Sequence, residues 1–589
     1  MTPRRAILAA VFAFLLVNVA FVGTRPVLSS DETRYGSIAV QMVESGDWLG
    51  MRMSGFHFYE KPALVYWMMA ASVSVFGENA FAIRLPAALC GGLAALAIGL
   101  AARRGARLAG CAPPDATVTG ALVALCALTM ALPAVGSSVA IFDQPIAGFV
   151  TAACALFFIG ATEPAGRTRL AWLLASGVAA GLAFMTKGLL AFAFPAMTVV
   201  PWLLWERRWR EAFVLPLVPI VVALLVAAPW AIAVHRHEPG FWERFIVHEH
   251  FQRFAGTVSN QPREPWAFYL LILPLGCVPW IAAAPLAARR WPALARTQTG
   301  IRFAICAVLG PLVFLSASRG KLPTYALPLF PPMAWLIVAG LQALFARASA
   351  ADGDAPAPAP SRLAFLPGAL LIVAGAAALC FAFAGDASLP LLSRAWLTQP
   401  HARAGLLGAA LILWGLGDWR AQRVPAGPVR LAWMGLSPVA LLASFGLLLP
   451  DAAVSELEFP ARTLTAEQAT IDAAPTLFCD YKMAHACAWT LRRTDFLVIG
   501  DPREFANGLG IPEEDARMVG NAALPDRLAA ARAQGTVAMA AQTAVLDRTL
   551  KLAGMPAPTA RHDHRGWALV TFDAMQPPAP AAAVPPVTP

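Results

Sequence analysis

Residues 31–62 read DETRYGSIAVQMVESGDWLGMRMSGFHFYEKP and carry nine acidic, basic or imidazole side chains: Asp31, Glu32, Arg34, Glu44, Asp47, Arg52, His57, Glu60 and Lys61. They follow directly on an apolar run, in a chain that is 58% hydrophobic and only 14% charged. Ionisable groups crowded beside a membrane span are costly to keep unless they act on something. An ordinary solvated loop is the plain alternative. What surrounds the stretch decides between them.

Outward from it, apolar runs of about 20 residues recur through a chain of mean hydropathy +0.60, the pattern of membrane-crossing helices. A soluble protein of 589 residues would divide into several domains with far more charge. The expected fold is mainly α: a polytopic membrane protein with about thirteen transmembrane helices. They fall at 6–23, 81–101, 116–133, 144–160, 170–186, 188–205, 212–234, 267–288, 301–317, 325–346, 362–384, 404–417 and 429–449. Residues 63–76 are apolar but short, and Tyr66 and Trp67 suit a helix lying at the membrane surface. The first run, preceded by Arg4 and Arg5, resembles a signal sequence. With no small-residue cleavage site it reads as an uncleaved helix.

The net charge of +10 comes without a basic cluster interleaved with aromatics, which argues against nucleic acid. Its placement is more informative, because cytoplasmic loops of membrane proteins are enriched in Lys and Arg. With the N-terminus in the cytoplasm, one side receives Arg103, Arg104 and Arg107, Arg167 and Arg169, Arg207, Arg208 and Arg210, Arg289, Arg290 and Arg296, Arg347 and Arg362, and Arg420 and Arg423. The other side receives 31–62, Asp143, Lys187, 235–266 and 318–325. The expected location is therefore a bacterial inner membrane, N-terminus cytoplasmic and C-terminus periplasmic.

Residues 1–450 form the membrane domain, with 24–80 as its first periplasmic loop. From 451 to 574 the composition becomes that of a soluble domain. β-type runs at 476–481, 495–500, 535–540 and 567–572 alternate with helical patterns at 503–509, 526–534 and 542–552, a small extracytoplasmic α/β layer. The linker 351–360 and the Pro/Ala tail 575–589 are expected to be disordered. Seven of the nine cysteines sit in or beside apolar spans as packing residues. Cys479 and Cys487 lie in the polar part, where an oxidising compartment permits a disulfide.

The groups sorted to the periplasmic side are of complementary kinds. Carboxylates are Asp31, Glu32, Glu60 and Asp143; cations are Lys61, Lys187, Arg253, Arg319 and Lys321; His57, His248, Glu249 and His250 are ligands or proton carriers. Several basic side chains at one membrane face suit a bound phosphate, and carboxylates nearby suit a cation or a hydroxyl-bearing ligand. A lipid-phosphate-linked sugar combines these needs. Glu60 with His250 or His248 supplies two zinc-type ligands, an incomplete shell.

DETRYGSIAVQMVESGDW, FHFYEKPALVYW and GENAFAIRLPAAL together resemble the first extracytoplasmic loop of the ArnT-like glycosyltransferases, of the GT-C class that includes protein O-mannosyltransferases. The likeness continues through IFDQP at Asp143, GLAFMTKG at Lys187, EHFQRFAG at 249–256 and SRGKLPTYALPLFPP at 318–332. It implies an inverting enzyme that moves 4-amino-4-deoxy-L-arabinose from undecaprenyl phosphate to lipid A phosphates. By motif, Asp31 and Asp143 would be the acidic pair of the active site. Lys61, Arg253 and Tyr325 would grip the donor phosphate, with Lys187 and Lys321 as further cations. Glu60 and His250, or His248 in its place, would hold a divalent metal such as zinc. No nucleotide cofactor, no nucleic-acid partner and a monomeric state are expected. Ala63 stands where such loops often have a second proline after E-K-P.

Two other readings stay in view. One keeps the chemistry but changes the polyprenyl-phosphate sugar, or sends it to a protein or polysaccharide. The other is a lipid or sugar transporter, for which polar groups near the membrane midplane and repeated halves are expected; the sequence has neither.

Overall fold

The computed structural model describes residues 1–25, 27, 31–246, 264–351, 365–383, 400–448, 460–501, 503, 505, 511–564 and 566–575. The chain divides into two compact units, one of Met1–Arg25 with Glu60–Leu449, the other of Pro26–Tyr59 with Pro450–Pro589. The boundary expected at residue 450 therefore misses a second one. Most of the loop expected at 24–80 groups with the C-terminal part.

The first unit is helical. Each of the thirteen expected spans falls on a helix or a bent helix pair. Among the described residues, nine helices are long and apolar enough to cross a membrane, or up to eleven if each bent pair is one span. The pairs are Pro113–Leu128 with Ala131–Ser137, bent by 71°, and Phe268–Gly276 with Trp280–Ala288, bent by 111°. The other two expected spans fall outside that set. Leu190–Trp205 has only 16 residues, and Pro400–Arg423 carries Arg403, Asp418, Arg420 and Arg423. Residues Leu64–Phe76 form the expected short helix.

At the centre of this unit stands Asp143–Thr162, whose apolar window is 89% buried. Phe158 on it meets Phe303, Trp202 and Trp335 at ring-centroid distances of 4.8, 5.2 and 5.5 Å, tilted or edge-on as aromatic quadrupoles prefer. Its neighbour Arg167–Lys187 runs back along it. At 20 and 21 residues both helices are about 30 Å long, so the start of one and the end of the other come level. Asp143 opens the first and Lys187 closes the second, each at the helix end whose dipole favours its charge.

In the second unit the ionisable stretch is not a loop. Asp31–Ser45 is a 15-residue helix with Asp31 and Glu32 in its first turn, where acids complement the N-terminal dipole. A hairpin follows, β1 (Arg52–Met53) pairing antiparallel with β2 (Phe56–His57). Its turn residues Ser54 and Gly55 have φ of 53° and 82°, the double positive φ of a tight two-residue hairpin.

The C-terminal part of this unit is a six-stranded sheet. Its strands are β3 (Thr476–Cys479), β4 (Leu497–Ile499), β5 (Met518–Val519), β6 (Val537–Gln542), β7 (Ala560–His564) and β8 (Trp567–Phe572). In the order β5-β4-β3-β6-β8-β7, the first four are parallel and the last two antiparallel. The four expected strands are present, with β5 and β7 added. Helices Leu524–Arg532 and Thr543–Thr549 match two helical patterns; most of 503–509 lies outside the described residues, as do nearly all of the linker and nearly all of the tail.

Candidate functional site

In the first unit, the antiparallel helix pair brings Asp143 and Lys187 into an ion pair, Lys187 Nζ donating to Asp143 Oδ1. The other carboxylate oxygen accepts from Thr324 Oγ1 at 2.6 Å. The Lys187 ammonium also lies 4.4 Å from the centre of the Tyr325 ring, within cation–π range. Thr324 and Tyr325 come from the short helical segment Pro323–Leu329, held by Tyr269 Oη donating to the Leu322 carbonyl at 3.2 Å. A buried carboxylate, an ammonium, a hydroxyl and a phenol thus meet at one end of the bundle.

Lys61 and Glu60 lie at the start of this unit's second segment, both largely buried, with Nζ 3.7 Å from a Glu60 carboxylate oxygen. Lys321 donates to the carbonyls of Ser318 and Glu264; as a phosphate ligand it would first have to exchange them. Arg253, His248 and His250 lie outside the described residues. Among the described residues no group of three His, Cys, Asp or Glu could hold a metal.

Two arginines missed by the sequence reading fix the chain end that leads into 31–62. Arg84, of GENAFAIRLPAAL, is fully buried and donates to the carbonyls of Val22 and Arg25 at 3.0 and 2.9 Å. Arg25 in turn donates to the Ser138 carbonyl at 2.7 Å. Thr324 was also missed, although it stands inside the quoted K-L-P-T-Y motif.

In the second unit, Asp31 is half exposed and accepts from Arg34 at 2.5 Å; Arg34 also donates to Tyr35 Oη at 2.8 Å. The helix Asp31–Ser45 is fitted against Tyr481–Thr490. A Cβ on Gly36 would come within 2.6 Å of the Trp489 ring, so only glycine permits this approach. His57 pairs through Nδ1 with the buried carboxylate of Glu514, which also accepts from the His57 amide at 2.8 Å. Arg517 stacks on Phe56 with its guanidinium carbon 4.0 Å from the ring centre. His485 is fully buried, its ring stacked on Phe505 at 4.8 Å. Burial, helped by the charge of Arg34, lowers its pKa to about 3. His57, through Glu514, ties the hairpin to the C-terminal part of its unit.

Against known families, residues 5–245 match the dolichyl-phosphate-mannose-protein mannosyltransferases and 456–571 match the C-terminal domain of the arabinosyl transferase ArnT. The chain is 33% identical over 552 residues to the undecaprenyl phosphate-alpha-4-amino-4-deoxy-L-arabinose arabinosyl transferase of Pseudomonas paraeruginosa, covering 93% of this chain and 94% of that one. The chain belongs to the ArnT family. It is a multi-pass membrane glycosyltransferase. A Pseudomonas aeruginosa member of the family is 31% identical over 582 residues, covering 98% of this chain and all of that one. The crystal structure of ArnT from Cupriavidus metallidurans bound to undecaprenyl phosphate superposes with a TM-score of 0.72 at 21% identity, covering 96% of this chain and 97% of that one. That likeness establishes the ArnT fold.

Proposed function

We propose that this ArnT-family enzyme moves 4-amino-4-deoxy-L-arabinose from undecaprenyl phosphate to a phosphate of lipid A, at the periplasmic face of an inner membrane. Its N-terminus is cytoplasmic and its C-terminal part periplasmic. The observation that carries the reading is the Asp143–Lys187 pair with Thr324 and Tyr325. It puts a carboxylate suited to a polar, amine-bearing sugar beside a cation suited to its phosphate. The names of relatives matched along nearly their whole length support the choice of sugar and carrier.

In this reading an acceptor oxygen attacks the anomeric carbon from the face opposite the leaving group, so the configuration inverts. The departing polyprenyl phosphate gains negative charge. Lys61, Lys187 and Arg253, with the Tyr325 hydroxyl, stabilise that charge more in the transition state than in the ground state. A lipid A phosphate is already anionic and needs no strong base. Asp143 and Asp31 then orient the sugar and hold its amine. With a hydroxyl acceptor, Asp31 would serve as general base.

The test is mass spectrometry of lipid A from cells with and without the gene. The expected result is one added aminopentose per modified phosphate, lost in Asp143→Asn. Lipid A unchanged by the gene would overturn the assigned acceptor.

A further inference from the structure

Cys479 ends β3 and Cys487 lies on the next helix, Tyr481–Thr490. Among the described residues their sulfurs are 3.7 Å apart, both wholly buried. The other seven cysteines lie in or beside the membrane helices, whereas these two meet in the sheet-bearing part. No carboxylate or imidazole completes a metal set around them among the described residues. A buried dithiol in van der Waals contact, eight residues apart in sequence, leaves two physical options: two reduced packing residues, or one covalent bond.

We infer that Cys479 and Cys487 form a disulfide in the mature enzyme. The inference rests on the periplasmic placement of the C-terminal part proposed above, because that compartment is kept oxidising. Side-chain rotation must bring the sulfurs to about 2.05 Å. The bond forms by exchange with a disulfide-bearing oxidoreductase. One thiolate attacks a sulfur of that disulfide to give a mixed disulfide, and the second displaces the oxidoreductase. The two cysteines lose two protons and two electrons, and the oxidoreductase leaves as a dithiol. Burial, with Cys487 alongside, holds the folded Cys479 thiol well above its ordinary pKa, so the exchange belongs to the folding chain, before the helix closes over the sheet.

The bond would have a definite mechanical role. The helix Tyr481–Thr490 carries Trp489, which meets Gly36, and His485, whose ring nitrogen lies 3.5 Å from Ser54 Oγ. Tying its seventh residue to β3 fixes the support on which Asp31–Ser45 rests.

Purified full-length protein, denatured and alkylated before any reductant is added, tests this. The expected result is a linked peptide pair containing Cys479 and Cys487, lighter by two hydrogen atoms than the reduced pair and labelled only after reduction. Protein made in cells lacking the periplasmic dithiol oxidase should carry the label at both positions. Label at both positions in protein from oxidising cells overturns the inference. A reporter enzyme active only outside the cytoplasm, fused after residue 589, separates the two failures. If the reporter is active and both thiols are free, the disulfide alone falls. If it is silent and both are free, the periplasmic placement falls with it.

Discussion

The two ends of the helix bundle use charge in opposite ways. At one end Arg302 is clamped on Glu206 at 2.6 Å, and Glu206 also accepts from Thr299 at 2.6 Å. There too Arg169 and Arg208 share Glu211, and Arg104 holds Glu163 at 2.7 Å. These arginines join helix ends to each other and to backbone carbonyls, a structural use of bidentate geometry. At the other end Arg25 and Arg84 still hold backbone carbonyls, but the cation beside Asp143, a threonine and a phenol is a lysine, Lys187. Lysine is a compact charge on a flexible stem and exchanges partners more readily than a fixed fork. The Arg–Glu clamps are built to stay closed, and the Lys187 site to trade ligands.

The largest break in that contrast should come from the lysine end. Asp143→Asn and Lys61→Ala should each lower turnover per folded molecule by roughly 10²–10³-fold, over and above the stability lost when Lys187 or Glu60 is left without its partner charge. Normal turnover by either variant in a lipid A transfer assay would remove that group from the chemistry. Arg302→Ala should do the reverse, leaving turnover per folded molecule intact while costing about 3 kcal/mol, since Glu206 loses its cation in a partly buried site; thermal unfolding in detergent would read this.

Mild acid acts on the second unit instead. Buried His485 keeps a pKa of about 3 against an ordinary 6.5. Below pH 6.5 the unfolded chain takes a proton that the folded one refuses. Stability should therefore fall by about 1.4 kcal/mol per pH unit down toward pH 3, and His485→Gln should flatten that slope in melts between pH 7 and 5. Smallest, Thr324→Val should remove one hydrogen bond to Asp143. The expected loss is about 1 kcal/mol, roughly fivefold in turnover, and an unchanged rate would mean that Lys187 alone holds the carboxylate.

Much of this was legible because the spans are long and apolar, and because charges in a hydrocarbon-rich sequence stand out. Asp143 and Lys187 were identifiable singly. Their pairing was not, since it depends on two helices of matched length running antiparallel. β7 escaped because Ala-Arg-His-Asp-His reads as polar loop; it is an exposed edge strand, where charge guards against further pairing. The helix Tyr481–Thr490 had a visible start signal in Asp480, whose side chain accepts from the Met483 amide at 2.8 Å. Nothing in the sequence signalled that 31–59 folds with the C-terminal part, because side-chain contacts across hundreds of residues leave no periodicity.

That last pairing sets an order of events during synthesis. Glu514 leaves the ribosome 457 residues after His57, roughly 20–90 s later at ordinary elongation rates. The Asp31 helix must wait until its brace has been made. A chain cut short at the last membrane helix therefore has its bundle but lacks the part on which the Asp31 helix packs.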